Sequence, residues 1–334
     1  MAYNQDIHFS HITYSPIYTN PAFTGFFDGN LRLYSNYRSQ YYNLVGIGGI
    51  QTIYGSADMR INFGPWCKDY FGVGLVAFND RLGTNQLNTT NLTLSASYSK
   101  SMGRKRNHVL NSGFSFSYFQ RKIDGDISDL QFGSQHNGLI FDPNLVSGEF
   151  VPNAVMRNID FSLGLLYFVN MNSKTDFYAG FSAAHILQPN FGPIETSGEV
   201  LPRRYSGQIG MTQRFSKRTS LAPVLFLNHQ NKVMDITTGA LFRNVLFDYE
   251  GSQTALLAGL YGRMYSTPVK PFDIESLIFL VGIEYSKVRF TFGYDANINK
   301  LKSATRAQGA FELSVKFITD MFKCKSQTSF CPML

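Results

Sequence analysis

The sequence predicts an all-β chain, a transmembrane antiparallel β-barrel of about 14 strands with its N-terminal segment folded into the lumen. Three observations predict it. Segments of about ten residues recur in which aromatic or aliphatic residues alternate with small or polar ones, and successive side chains of a strand face opposite sides of its sheet. Aromatic residues make up 15% of the 334, with 30 Phe and 19 Tyr, while charged residues make up only 16%. An average soluble domain carries roughly 25% charged residues. Mean hydropathy is nonetheless −0.12, and no apolar run reaches the roughly 18 residues a membrane helix needs. A barrel reconciles the three, because its strands hide apolarity in alternation. A soluble β-sandwich would need more Lys and Glu at its outward positions.

The elements follow in order. Residues 1–28 precede the first strand. Within them Asn20-Pro21 and Thr24-Gly25 are turn chemistry, which doubles the segment back toward that strand. Strands are expected near 29–38, 50–62, 69–79, 88–99, 107–121, 159–170 and 175–186, then near 203–215, 219–229, 232–242, 253–264, 274–286, 288–297 and 308–318. The fourth sets Leu92, Leu94, Ala96 and Tyr98 against Thr93, Ser95, Ser97 and Ser99. The fifth sets Leu110, Phe114, Phe116 and Tyr118 against Asn111, Gly113, Ser115 and Ser117, and the sixth sets Phe161, Leu163 and Leu165 against Asp160, Ser162 and Gly164. The thirteenth, Val288–Asp295, alternates most cleanly; the last sets Phe311, Leu313, Val315 and Phe317 against Glu312, Ser314 and Lys316. The third, ninth and eleventh alternate less cleanly. Pro223 in the ninth predicts a bulge or strand end, since proline cannot donate to a ladder. Tyrosines near strand ends, among them Tyr98, Tyr118, Tyr167, Tyr205 and Tyr285, fit the aromatic girdles of a membrane barrel.

Connection lengths supply an independent expectation. Bacterial barrels have short periplasmic turns and longer outer loops. With both termini periplasmic, the long links 122–158 and 187–202 fall outside, and the short ones at 171–174, 216–218 and around Lys287 fall inside. The link 243–252 is then longer than an inner turn should be. The expected division is an N-terminal segment (1–28), a barrel (29–318) and a periplasmic tail (319–334). Residues 1–10 are polar and do not read as a secretory leader, so the numbering is expected to begin near a mature N-terminus or after a leader already removed.

The polar strand faces point into the lumen and carry Arg32, Arg38, Asp58, Arg60, Arg214, Arg289, Asp295, Glu312 and Lys316. Charges inside a barrel must be hydrated or paired. Gly72, Gly74, Ser95, Ser97, Gly113 and Gly164 leave room beside them. Residues 1–28 are the segment expected to fill that room; a water-filled lumen is the alternative.

Several function classes lack their residues. The net charge of +7 is modest, and the basic groups at 103–106 and 215–218 read as solvated turns; no nucleic-acid-binding module accompanies them. His8 and His11 lie among apolar neighbours and have no third ligand. The acidic run at 124–129 lacks the bidentate Glu of a calcium loop, and Gly46–Gly49 is not followed by the Lys-Ser/Thr of a phosphate loop. No nucleophile–base set stands out, so neither catalysis nor a cofactor is expected. Of the cysteines, Cys67, Cys324 and Cys331, the last two could close a disulfide in an oxidising compartment or remain free thiols.

The N-terminal stretch Gln5-Asp6-Ile7-His8-Phe9-Ser10, followed by Asn20-Pro21-Ala22-Phe23-Thr24-Gly25, resembles the opening motifs of the PorP/SprF family. So do Arg32, Asn36-Tyr37-Arg38 with Gln40, Ser56-Ala57-Asp58, and Gly180–His185 with Gln188-Pro189. Phe292-Gly293-Tyr294-Asp295 and the closing Cys331-Pro332-Met333-Leu334 extend the resemblance to the end of the chain. Ile7 stands where the family has Pro and Leu334 where it has Phe. The resemblance implies a non-enzymatic outer-membrane component of the type IX secretion system of Bacteroidota. Such a protein supports export or surface attachment of large proteins, gliding adhesins among them, that bear a C-terminal sorting domain. Its implied partners are that cargo, the secretion machinery in the outer membrane and periplasm, and membrane lipid with lipopolysaccharide; nucleic acid is not among them. Two rivals remain: a transporter of hydrophobic small molecules, which needs an apolar path through the lumen, and a general porin, which needs an open one.

Overall fold

In the computed structural model, the described residues are 9–10, 15–41, 49–63, 69–83, 87–104, 107–123, 142, 145, 155–190, 200–249, 252–268, 272–298 and 308–319. They form a closed barrel of fourteen strands in which every strand pairs with its sequence neighbours and the last pairs with the first. The strands are β1 (Leu31–Gln40), β2 (Ile50–Phe63), β3 (Asp69–Leu82), β4 (Leu87–Met102), β5 (His108–Ile123), β6 (Met156–Asn172) and β7 (Thr175–Ala184). They continue with β8 (Arg204–Arg214), β9 (Thr219–Gln230), β10 (Val233–Tyr249), β11 (Ser252–Ser266), β12 (Asp273–Tyr285), β13 (Val288–Asn297) and β14 (Gln308–Thr319). Closure runs from Leu31 opposite Thr319 to Gln40 opposite Ala310, so no edge strand remains to pair with another chain. The shortest strand has 10 residues, enough to cross a bilayer at the usual tilt.

The alternation is realised as two surfaces. Outward residues such as Leu94, Phe114, Leu163, Phe181 and Leu260 are more than half exposed, which is the apolar band a membrane would cover. Their immediate neighbours, among them Ser95, Ser115 and Ser182, are buried. No helix among the described residues is long and apolar enough to cross a membrane.

Two local departures have physical reasons. The link expected at 243–252 is mostly strand: β10 runs on to Tyr249 and β11 begins at Ser252. The register slips between Val245 and Phe247. A bulge inserts one unpaired residue and flips the faces beyond it, so period-two reading stops where the strand does not. Pro223 neither ends nor bulges β9; it sits opposite Ala240 in an unbroken ladder with β10. On the other side the β8–β9 ladder lacks its rungs between the Gly210–Val224 and Gln213–Leu221 pairs. The cost of the missing N–H falls on one seam only.

The two ends of the barrel differ. Links after even-numbered strands are short: Ser173-Lys174 joins β6 to β7, and Ser286-Lys287 joins β12 to β13. Links after β5 and β7 are the long ones.

Candidate functional site

The interior holds the chain's own N-terminal segment. A single helical turn, α1 (Pro16–Thr19), is followed by a 3-10 turn at Pro21–Phe23, both buried. Proline at the first helical position is favoured because its missing N–H would have no partner there. Asn20 joins the two turns, its Oδ1 accepting from the Ala22 N–H at 2.9 Å.

The wall is shaped to receive this segment. Gly72, Ser97, Gly113, Gly164 and Ser182 are directly opposite one another across β3 to β7. Directly paired residues share a face, so they form one horizontal shelf without a bulky side chain. The backbone of residues 19–25 runs along it. Ser182 Oγ donates to the Thr19 carbonyl at 2.7 Å, and Ser97 Oγ donates to the Thr24 carbonyl at 2.6 Å. A Cβ at Gly164 would collide with Asn20 Oδ1, one at Gly113 with the Pro21 carbonyl carbon, and one at Gly72 with the Thr24 carbonyl. The amide nitrogen of Asn20 donates to the wall carbonyls Leu165 and Phe181 at 3.2 and 3.3 Å and to Gln208 Oε1 at 3.1 Å. Asn20, wholly buried, thus has each polar atom engaged.

Charge holds the turn that leads into β1. Arg32 meets Asp58 in a fork, Nε to Oδ1 at 2.8 Å and Nη2 to Oδ2 at 2.9 Å. Two parallel charge-assisted bonds are the strongest form of this pair. Asp58 Oδ2 also accepts from the Gly25 N–H at 2.8 Å, and Arg32 Nη2 donates to the Phe23 carbonyl at 3.2 Å. Arg60 donates to the Gly25 and Phe27 carbonyls at 3.0 and 2.5 Å, and stacks over Tyr70 at 4.3 Å. Gly25 has φ +70°, and a Cβ there would lie 2.8 Å from Gly72 Cα, so both the backbone and the shelf demand glycine at this position.

A second cluster holds Phe9 and Ser10. Glu312 accepts from Arg38 Nη1 and from the Ser10 N–H, both at 2.6 Å, and Arg38 also bonds Ser10 Oγ. Asp295 lies 3.3 Å from both Arg38 and Arg263, and Arg263 donates to the Phe9 carbonyl at 3.0 Å. Two further groups stand apart from the segment. Glu284 is clamped by Arg243 at 2.5 Å and Arg289 at 2.6 Å, and Arg214 pairs with Asp176 at 2.6 Å. Buried charges persist only where paired in this way.

The nine inward charges read from the sequence therefore fall into separate groups. Arg32, Asp58 and Arg60 grip residues 23–27; Arg38, Asp295 and Glu312 grip residues 9–10; Arg214 and Arg289 pair with acids of the wall. Lys316 is buried near Tyr34, its partner across the β1–β14 ladder. Arg263, Asp176, Glu284 and Arg243 complete these groups and were not read from the sequence. Arg263 lies in a strand whose alternation is masked, because Leu257 and Tyr261 on the same inward face are apolar. Of the N-terminal motif, Phe9, Asn20, Pro21 and Gly25 have the contacts above, whereas Gln5, Asp6 and His8 lie outside the described residues. Cys324, Cys331, the tail beyond Thr319 and most of 122–158 lie outside them too. His185 Nδ1 meets Asp160 Oδ2 at 2.6 Å.

The inward face is also more apolar than its serines and glycines suggest. Phe9, Ile17, Tyr34, Tyr54, Val76, Phe78, Leu241, Leu257, Tyr261, Ile278 and Leu280 form one buried cluster, joined by Tyr18, Ala222 and Val224. Ala22, Phe23 and Phe26 form another with Tyr70, Leu166, Phe168 and Tyr178. β3, β9 and β11 alternate poorly because they are apolar on both faces, outward for a membrane and inward for Phe9, Ile17, Tyr18, Phe23 and Phe26.

A closed, apolar-banded barrel with its own chain packed inside belongs to the outer-membrane β-barrels. The chain itself is a member of the family described as the type IX secretion system membrane protein PorP/SprF, which matches residues 1–317. Among curated proteins none matches the sequence. Among solved structures, the chain resembles a deletion mutant (deltaS2) of the TodX monoaromatic hydrocarbon channel at TM-score 0.54 and 12% identity, over 92% of this chain and 94% of that one. It also resembles a Pseudomonas aeruginosa FadL homologue at TM-score 0.53 and 13% identity, over 91% and 94% of the two chains. At such identities the likeness shows the fold alone. The fold is thus a closed 14-strand antiparallel barrel of the FadL/TodX kind, in a non-enzymatic secretion-system membrane protein.

Proposed function

We propose that this barrel is a sealed docking scaffold of the type IX secretion system. It supports export or surface anchoring of a large protein, such as a gliding adhesin, by binding that protein's C-terminal sorting domain. The observation that carries the reading is the built seat for residues 19–25. A shelf of small residues, a forked Arg32–Asp58 pair and a fully engaged Asn20 hold chain where a channel would hold water. Both termini face the periplasm in this reading, supported by the short links after even-numbered strands. The long links 122–158 and 187–202 then face outward, toward the cargo, with lipopolysaccharide around them, and the tail 319–334 meets the periplasmic machinery. The test is deletion of the gene followed by whole-cell labelling of a sorting-domain surface protein. Loss of that label, with the cargo held in the cell or shed to the medium, is expected; undiminished surface display contradicts the proposal.

Transport of hydrophobic small molecules is the second reading, and one observation favours it: the apolar cluster around Phe9, Ile17 and Leu280. The similar TodX structure is that of a monoaromatic hydrocarbon channel. The cluster here, however, is filled by the chain's own Phe9, Ile17 and Tyr18, so solute would have to displace them. Growth on hydrophobic substrates that depends on this barrel, with surface display intact, would favour transport.

A further inference from the structure

The barrel's short-turn rim carries exposed cations that no described carboxylate pairs with. Arg104 lies between β4 and β5, Lys174 between β6 and β7, Lys217 and Arg218 between β8 and β9, and Lys287 between β12 and β13. All five are exposed, and they come from four short turns. Among the described residues no carboxylate lies within ion-pair distance of any of them; the Lys287 ammonium bonds only the Thr319 hydroxyl, at 3.0 Å. The described acids at this end have partners of their own. Asp69 takes Lys100 at 2.6 Å and the Ser101 N–H at 3.0 Å, and Asp248 accepts from Gln253. Asp28, exposed just before β1, has a partner of its own. Asp176 and Glu284 nearby point inward and hold Arg214, Arg243 and Arg289.

The cations also stand at a defined depth. Each follows an exposed apolar residue by two or three positions: Met102 before Arg104, Met171 before Lys174, Phe215 before Lys217 and Arg218, and Tyr285 before Lys287. The last three apolar residues are 60–64% exposed. Apolar side chains at the hydrocarbon boundary with Lys or Arg one step beyond are placed at the level of lipid phosphates. The four turns lie along the wall from β4 to β13, more than half of the circumference. So wide an arc fits a shell of lipid better than the single patch that would meet a protein partner.

We infer that this rim is a binding collar for the phosphodiester headgroups of anionic phospholipid, of the phosphatidylglycerol class, in the leaflet that the short turns meet. Only the choice of the periplasmic leaflet rests on the orientation proposed above; binding itself does not depend on cargo or export, so the two can fail separately. Each Lys or Arg near such a surface contributes about 1 kcal/mol, roughly fivefold in affinity.

The test is native mass spectrometry of the full chain released from mixed micelles of phosphatidylglycerol and phosphatidylethanolamine of matched acyl chains. The wild type is expected to retain phosphatidylglycerol at least tenfold over its share, and to lose that preference in high salt. The combined substitutions Lys174→Gln, Lys217→Gln, Arg218→Gln and Lys287→Gln should bring retention to near parity, while Arg81→Gln with Lys232→Gln at the opposite rim should leave it unchanged. Equal retention of the two lipids by the wild type overturns the inference, and the salt series on that protein decides the matter even if the fourfold variant fails to fold. Preference that falls with the opposite-rim pair instead also overturns it, since the site would then face the other leaflet.

Discussion

At the scale of single residues, the interior is held by contacts of very unequal worth. Arg32 and Asp58 are almost wholly buried, and removing one partner of such a pair leaves an uncompensated charge, at about 3–5 kcal/mol. Asp58→Asn should therefore lower the urea midpoint of the lipid-reconstituted barrel markedly. Lys100→Gln breaks a pair that is half exposed on the lysine side, which should cost under about 1 kcal/mol. Equal shifts for the two would contradict the assignment. Glycines give a second contrast. Gly113→Ala drives a Cβ into the Pro21 backbone, whereas at Gly55 the nearest atom stands at 4.0 Å. Overpacking at the first costs about 1–3 kcal/mol; Gly55→Ala should leave melting unchanged, read by the heat-shifted mobility of the folded barrel in detergent gels. Much of this was legible beforehand: Arg32, Asp58 and Arg60 stand on the polar parity of clean strands, and Gly72, Gly113 and Gly164 mark room beside them. Their partners were not legible. Arg38 meets Asp295 and Glu312 from the far end of the chain, and only barrel closure brings those strands together.

At the scale of elements, period-two alternation located all fourteen strands wherever one face was polar. It ran short at β10, where the slip after Val245 exchanges the faces, and blurred at β3, β9 and β11, whose inward side chains serve the N-terminal segment. The element-scale prediction concerns sidedness. In whole cells, a membrane-impermeant maleimide should label Thr267→Cys, in the link after β11, and should not label Ser286→Cys in the turn after β12. The wild-type chain gives the background from its own cysteines. The reverse labelling pattern would invert the proposed orientation, and with it the assignment of the long links to the cell surface.

At the scale of the whole molecule, barrel and segment explain each other. A 14-strand wall needs something to support inward Tyr34, Tyr54, Phe78 and Tyr261, and the N-terminal Phe9, Ile17, Phe23 and Phe26 need a dry, small-walled cavity to be buried in. Alternation alone indicated that the lumen was polar and roomy; it could not reveal the apolar lining, because an inward aromatic reads as noise when the outward face is aromatic too. The fold's likeness to channel proteins sharpens the question of whether this barrel conducts. The account's central claim is that it does not, because its own N-terminal segment closes it. Solute flux into liposomes carrying the purified full chain tests that claim most directly, beside a variant lacking residues 1–28. The account predicts no flux above empty liposomes for the full chain and clear flux of small sugars for the truncated barrel. Equal flux through both would contradict it.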